Sequence, residues 1–283
     1  MMNTNSKRYE LQQLMEGWIG CTDPANLSNY RSQFEQHTLT LEMRNEMNNA
    51  LISDGASIFY KGAHTFADAI AAASKGYQSW AIIKLYYSSF YLLRALFAAR
   101  GYGIVKCKGI YTLKSEIGAT PVKRDGQTHK GEKTRGDHKT TIYIFEKEMG
   151  NGELLLSNSI AGSSVFDWMM EAREAVNYRH ATFSEPDFDF FEPSLIEENG
   201  ALRWVNAYLE DQTGAYLFLE QHCCISVPLY LIKKVKSEFE TRLNVNTLLS
   251  EEQCSSLIKI LTGTGLETSN RFLSLFDATG PLG

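Results

Sequence analysis

Apolar positions recur at helical spacing along much of this chain, and the clearest run lies between Ser79 and Arg100. Trp80, Ile83, Tyr87, Phe90, Leu93 and Phe97 mark one face, and other apolar side chains fill most of the remainder. A helix apolar nearly all round belongs in a core. Lys84, Ser88, Ser89 and Arg94 interrupt the run, which argues for a buried central helix rather than a membrane span. Gly101 is the expected stop.

The flanking pattern predicts further helices. Residues 1–18 are amphipathic, and Pro24, Asn26 and Asn29 mark a turn. Leu41 to Tyr60 is helical in character, with an expected break at Asp54-Gly55. Thr65 is a candidate cap for a helix from Phe66 to Ser74. Asp137 is a candidate cap for His138 to Met149, closed by Gly150-Asn151-Gly152. Ser163 or Ser164 is the candidate cap for the segment that follows.

Between these helices the pattern changes. Residues 101–136 hold seven glycines and little helical period. The stretch reads as an exposed loop or small hairpin, a basic insertion at about 103–136 in which Lys123, Arg124, Lys130, Lys133 and Arg135 outnumber Asp125 and Glu132. Such a patch is either a solvated surface or an arm for a nucleic-acid backbone, on which His129 is a further phosphate contact. After Phe183, SEPDFDFFEPS reads as a boundary. Beyond it, Trp204 to Leu209 and Ala215 to Glu220 suit strands around Asp211-Gln212-Thr213-Gly214, with helix an equal reading of the first. Helices are expected near Leu229 to Leu243 and Ser250 to Leu261.

Ser164 to Phe183 carries the candidate chemistry. At helical spacing Val165, Met169, Ala172, Val176 and Phe183 form a core stripe, while Arg173, Asn177 and His180 share a second face roughly 80° round from it. A guanidinium matches a phosphate with paired hydrogen bonds, an imidazole moves protons near neutral pH, and an amide orients either. Together they suit phosphodiester cleavage in which the RNA 2′-hydroxyl is the nucleophile and no metal-bound water is needed. One histidine cannot easily serve as base and acid in one step, so the chemistry calls for a two-fold assembly. The bland alternative is that Arg179 and His180 are cations at a helix C-terminus, interacting with its dipole.

Composition narrows the classes. With 43% hydrophobic and 22% charged residues in 283, the chain can bury a core, as one large domain or two ordinary ones. A net charge of -5 excludes a uniformly basic nucleic-acid binder but not a local patch. Cys21, Cys107, Cys223, Cys224 and Cys254 are odd in number and irregularly spaced, which fits free thiols in a reducing cytoplasm. No zinc spacing, paired-carboxylate motif or glycine-rich phosphate loop is present, so no metal or other cofactor is expected.

Three segments carry a family resemblance. Tyr86, Tyr87, Phe90, Arg94, Ala95, Leu96 and Gly101 stand in a pattern that resembles the signature helix of HEPN domains. His138 and Phe145 resemble its next helix, and Arg173 followed by Asn177-Tyr178 resembles its arginine-bearing helix. The resemblance covers residues 63–183 and implies a mainly α fold: a HEPN-like antiparallel helical bundle with an inserted basic loop. Residues 1–62 would be a helical segment packing on its core, and residues 184–283 an α or α+β extension. It implies a metal-independent endoribonuclease, a bacterial toxin or antiviral-defence effector, acting as a homodimer, with a partner protein in some systems. HEPN ribonucleases place His four to six residues after Arg, and six residues separate Arg173 from His180. Arg173 and His180 would be catalytic and Asn177 supporting, while Lys123, Arg124, Lys130, Lys133, Arg135, Lys139 and Arg179 would hold RNA.

Two positions depart from the family pattern. Glu174 follows the arginine where active members carry Asn, Asp or His, and Thr182 stands where some toxins carry a modifiable Tyr. The other reading is therefore a catalytically inactive scaffold or regulatory subunit that docks a nuclease, ATPase or polymerase.

Overall fold

The computed structural model describes residues 8–150, 152–183, 185 and 190–276. They are mainly helical: α1 (Glu10–Trp18), α2 (Arg31–Gln36), α3 (Leu41–Ala73), α4 (Gln78–Ala99), α5 (Gly136–Met149), α6 (Val165–Glu174), α7 (Gly200–Glu210), α8 (Glu220–Leu243), α9 (Glu251–Leu261) and α10 (Asn270–Leu273). Five short strands complete them: β1 (Tyr102–Lys106), β2 (Ile110–Lys114), β3 (Val122–Lys123), β4 (Thr128–His129) and β5 (Glu132–Lys133). No described helix is long and apolar enough to cross a membrane. The expected helix over residues 1–18 is present from Glu10, and Met1 to Lys7 lie outside the described residues. So do Asn151 of the expected glycine stop and much of the 184–193 boundary segment.

The chain divides into two compact units. The first comprises residues up to Ser57 and Arg94–Glu148, the second Ile58–Leu93 and everything from Met149. Both divisions of the first half fall inside continuous helices, α3 and α4.

In the first unit, β1, β2 and β3 form an antiparallel sheet with Ile104 opposite Thr112 and Thr112 opposite Val122. Leu11, Met15, Phe34, Met47, Val105, Tyr111 and Leu113 are part of one buried cluster. Helix α1 lies directly on β1: a Cβ at Gly103 would come within 2.0 Å of Leu11 Cδ2, so only glycine permits this approach. Asp54 accepts hydrogen bonds from the backbone N–H groups of Glu10 (2.8 Å) and Leu11 (3.0 Å). It thus caps α1 from a different helix. This corrects the expected break at Asp54-Gly55, since α3 runs unbroken through it. Thr65, the expected cap, is mid-helix and donates to the Lys61 carbonyl at 2.7 Å.

The basic insertion is ordered. Beyond β3, β4 and β5 form a hairpin whose turn, Lys130-Gly131, has φ of 48° and 81°. Two successive left-handed residues give the turn that matches strand twist, and glycine takes the second at no steric cost.

In the second unit, α3 and α4 run antiparallel: Ser88 Oγ donates to the Gly62 carbonyl at 2.8 Å, and Lys84 pairs with Asp68 at 2.7 Å. Ser164 caps α6, accepting from the Asp167 N–H. Trp204 to Leu209 takes the helical one of its two expected readings, and Ala215 to Glu220, expected as a strand, is not one. Val205, Tyr208 and Leu209 are buried at i, i+3 and i+4 on α7, and Ala215–Phe218 is a 3-10 turn leading into α8. Among the described residues the C-terminal extension is therefore helical, not α+β. Helix α8 begins at Glu220 rather than after Pro228, which lies inside it. A capping box at Ser250 and Gln253 starts α9.

Candidate functional site

The expected helix from Ser164 to Phe183 does not continue as α-helix. Helix α6 ends at Glu174, and Ala175–Arg179 form a π-helical turn. It is closed by the His180 N–H donating to the Ala175 carbonyl at 2.9 Å. His180 itself is extended, with φ -78° and ψ 136°. The shared face expected for Arg173, Asn177 and His180 from α-helical spacing is thus corrected: the three stand on an α-helix end, a π turn and an extended residue. Turns of this kind recur at functional sites, because the extra residue reorients the side chains after it.

Arg173 is the fixed member. Its side chain is 13% exposed, its Cζ lies 4.8 Å from the centroid of the Tyr86 ring, and its Nε is buried without a hydrogen-bond partner. Burial pushes the Tyr86 phenol up to about 12, against the opposing field of Arg173. A guanidinium over an aromatic face gains about 1 kcal/mol. Asn177 and His180 are exposed.

Glu174 is shared between two arginines. Its Oε1 lies 3.1 Å from Arg173 Nη2 and its Oε2 lies 3.3 Å from Arg179 Nη2. The carboxylate thus occupies one edge of each guanidinium.

Two anchors hold the chain on either side of His180 against α4. One is Arg173 over Tyr86. The other lies beyond the histidine: Phe183 packs on Trp80 with ring centroids 5.9 Å apart, and Glu185 accepts from Ser79 N (2.8 Å) and Ser79 Oγ (2.5 Å) at the start of α4. Burial works to raise the Glu185 pKa, but the Ser79 bonds outweigh it and the carboxyl lies below its ordinary range. Trp80 and Tyr86 are separated by roughly 9 Å along the α4 axis. Arg173 and His180 therefore sit on a short strap pinned at both ends. Phe183, expected in the core stripe, is 51% exposed, and Trp80 is 50% exposed. Tyr178, at 73%, and Tyr77, at 60%, add to the exposed aromatic surface of this unit.

The expected RNA-holding residues of the insertion belong to the other compact unit. Arg124 is largely buried, pairing with Glu148 at 2.6 Å and donating through Nε to Thr112 Oγ1 at 2.7 Å. Lys139 pairs with Glu132 at 2.7 Å. Glu146 lies 2.6 Å from His129 Nε2 and 2.8 Å from Lys130 Nζ. Lys123 is half-buried on β3, whereas Lys133 and Arg135 are exposed and form no ion pair among the described residues. Tyr86 as a platform and Glu174 as a bridge were not assigned from sequence. Tyr86 was visible only as part of a helix pattern, and adjacency to two arginines was the available sign for Glu174.

All five cysteines are buried, and none is in a disulfide. Among the described residues no group of three or more His, Cys, Asp or Glu side chains is placed to hold a metal ion. No protein-family model, curated protein or solved structure matches the chain closely enough to assign it to a family.

Proposed function

We propose that this chain is a metal-independent endoribonuclease of HEPN type, acting as a homodimer, in which Arg173 and His180 perform the chemistry and Asn177 positions substrate. The observation that carries the reading is the strap itself. It holds a guanidinium against Tyr86 and, after the π turn, carries an exposed imidazole seven residues on.

One His180 removes the proton from the RNA 2′-hydroxyl, which attacks the adjacent phosphorus. The bond to the 5′-oxygen breaks, and the His180 of the second copy protonates that oxygen. The products are a 2′,3′-cyclic phosphate and a free 5′-hydroxyl. Arg173 stabilises the added charge on the phosphorane. Glu174 can stay with Arg179 while Arg173 turns its edge to a phosphate. The exposed Trp80–Phe183 pair, three residues from His180, offers a second copy an apolar place to dock. Exposed Lys133 and Arg135 suit the RNA backbone. Such a nuclease would serve as a toxin or antiviral effector.

Glu174 favours a second reading. Its carboxylate occupies Arg173, so the arginine can be purely structural and the unit a scaffold for a partner protein.

The two readings separate in one assay. Purified full-length protein is incubated with single-stranded RNA in EDTA, beside the same RNA carrying 2′-deoxyribose throughout. Cleavage of the ribose strand alone, lost in His180→Ala, supports the nuclease. No cleavage, or cleavage unchanged by that substitution, leaves the scaffold.

A further inference from the structure

A cavity of about 360 Å3 lies wholly within the second unit, between the end of α7, the 211–217 loop and α8. Its size falls in the range of small-molecule sites. Its lining includes apolar Leu154 and Leu217, aromatic Tyr216, and polar Asp211, Tyr230, Lys233 and Lys234.

The polar lining offers donors rather than acceptors. Asp211 lines the cavity, but its carboxylate already serves the loop. Oδ1 accepts from Thr213 N (2.9 Å), Thr213 Oγ1 (2.7 Å) and Gly214 N (2.9 Å), and Oδ2 accepts from Tyr216 N (3.0 Å). Lys234 donates to Glu153 at 2.8 Å and to the Tyr230 hydroxyl at 3.4 Å, which leaves one of its three N–H groups. Glu153, 3% exposed, is a buried counter-charge that fixes this lysine in place. Lys233 is exposed and forms no ion pair among the described residues. Lys233 and Lys234 therefore both line the cavity, the second held by Glu153, while the one lining carboxylate is saturated by its own loop.

We infer that this cavity binds a small aromatic anion, a flat ring carrying a carboxylate or a phosphate. The ring lies against Tyr216 and Leu154, and the anion meets Lys233 and Lys234. The site is separate from the strap and does not depend on the nuclease reading.

The test is calorimetric titration of the full-length protein with benzoate, phenyl phosphate, benzyl alcohol, acetate and inorganic phosphate. At least one ring anion is expected to bind with Kd below about 1 mM, and the neutral ring and the ringless anions at least about tenfold more weakly. Which of benzoate and phenyl phosphate binds tighter identifies the anion. Lys233→Ala, at an exposed position, is expected to weaken the preferred probe about tenfold. Ser237→Trp, at the rim, should abolish binding with an unchanged melting temperature. Absence of binding by both ring anions, equal binding of benzyl alcohol, or binding indifferent to both substitutions would overturn the inference. RNA cleavage is not read, so failure here leaves the nuclease proposal untouched.

Discussion

The guanidinium of Arg173 rests on the ring of Tyr86, with Cζ 4.8 Å from its centroid. The arginine's aim is therefore set by a buried ring of α4 as well as by its own helix, and the ring's contribution can be separated from that of its hydroxyl.

Tyr86→Phe keeps the platform and should retain Arg173 in place, with cleavage within a few-fold of the parent. Tyr86→Ala removes a buried ring and should destabilise the fold by about 3 kcal/mol in urea unfolding. It should also lower cleavage under conditions where the protein is still folded. Equal activity of the Phe and Ala variants would show that the platform does not matter.

Loss of the anchor beyond His180 should affect catalysis more than folding. Glu185→Ala removes both bonds to Ser79 and frees the far end of the strap. The expected result is a lower kcat with little change in KM, and partial recovery in Glu185→Gln, whose amide oxygen still accepts one bond. A uniform loss in both variants, tracking melting temperature, would mark the anchor as merely structural.

Glu174 opposes phosphate binding as long as it occupies Arg173 and Arg179. Glu174→Gln should tighten RNA binding several-fold at low salt and steepen its dependence on ionic strength, because two cations become available to phosphates. Filter binding at several salt concentrations reads this directly. Unchanged affinity would place both arginines away from the RNA.

His222 predicts a pH effect on stability. Burial lowers its pKa, with the field of Glu192 in opposition, and its Nδ1 lies 3.0 Å from the Tyr208 hydroxyl. Above the unfolded value of about 6.5 the imidazole is neutral in both states and adds no pH dependence. As pH falls below that value the unfolded chain takes up a proton that the folded chain resists. Stability therefore declines until the lower folded value is passed. Melting temperatures from pH 7.5 to 5 should fall less steeply in His222→Gln than in the parent. Parallel curves would contradict the shift.

Lys234 and Glu153 form a pair whose separation should be costly. Burial alone would lower the lysine's pKa, yet its bond to Glu153 carries it above the ordinary value. Lys234→Met takes the cation away from a buried carboxylate and should cost about 3 kcal/mol in urea unfolding at pH 7. The double variant with Glu153→Leu should recover much of that loss.

What the sequence revealed and concealed follows from the range of the interactions. Helix α4 was legible because its apolar residues crowd one short window, and the Ser164 cap because it bonds three residues away. Asp54-Gly55 misled because the aspartate serves a helix 43 residues earlier, a partnership no local window contains. Residues 204–209 were open to both readings because alternation and helical spacing cannot be told apart over six positions, and burial of Val205, Tyr208 and Leu209 decides for helix. At the candidate site Arg173 is held over Tyr86, a contact between helices that no local window contains. The π turn has no periodic signature, so the relation of Asn177 and His180 to it could not be read from spacing.

That turn also leaves the chain with a surplus. A π segment accommodates one more residue than an α turn over the same distance, so Ala175–Arg179 is where the polypeptide can lose a single amino acid and still close into a regular helix. A one-codon deletion there would take away the residue the wider turn accommodates while both pins of the strap remain encoded, a short route by which such a protein could exchange one use of this surface for another.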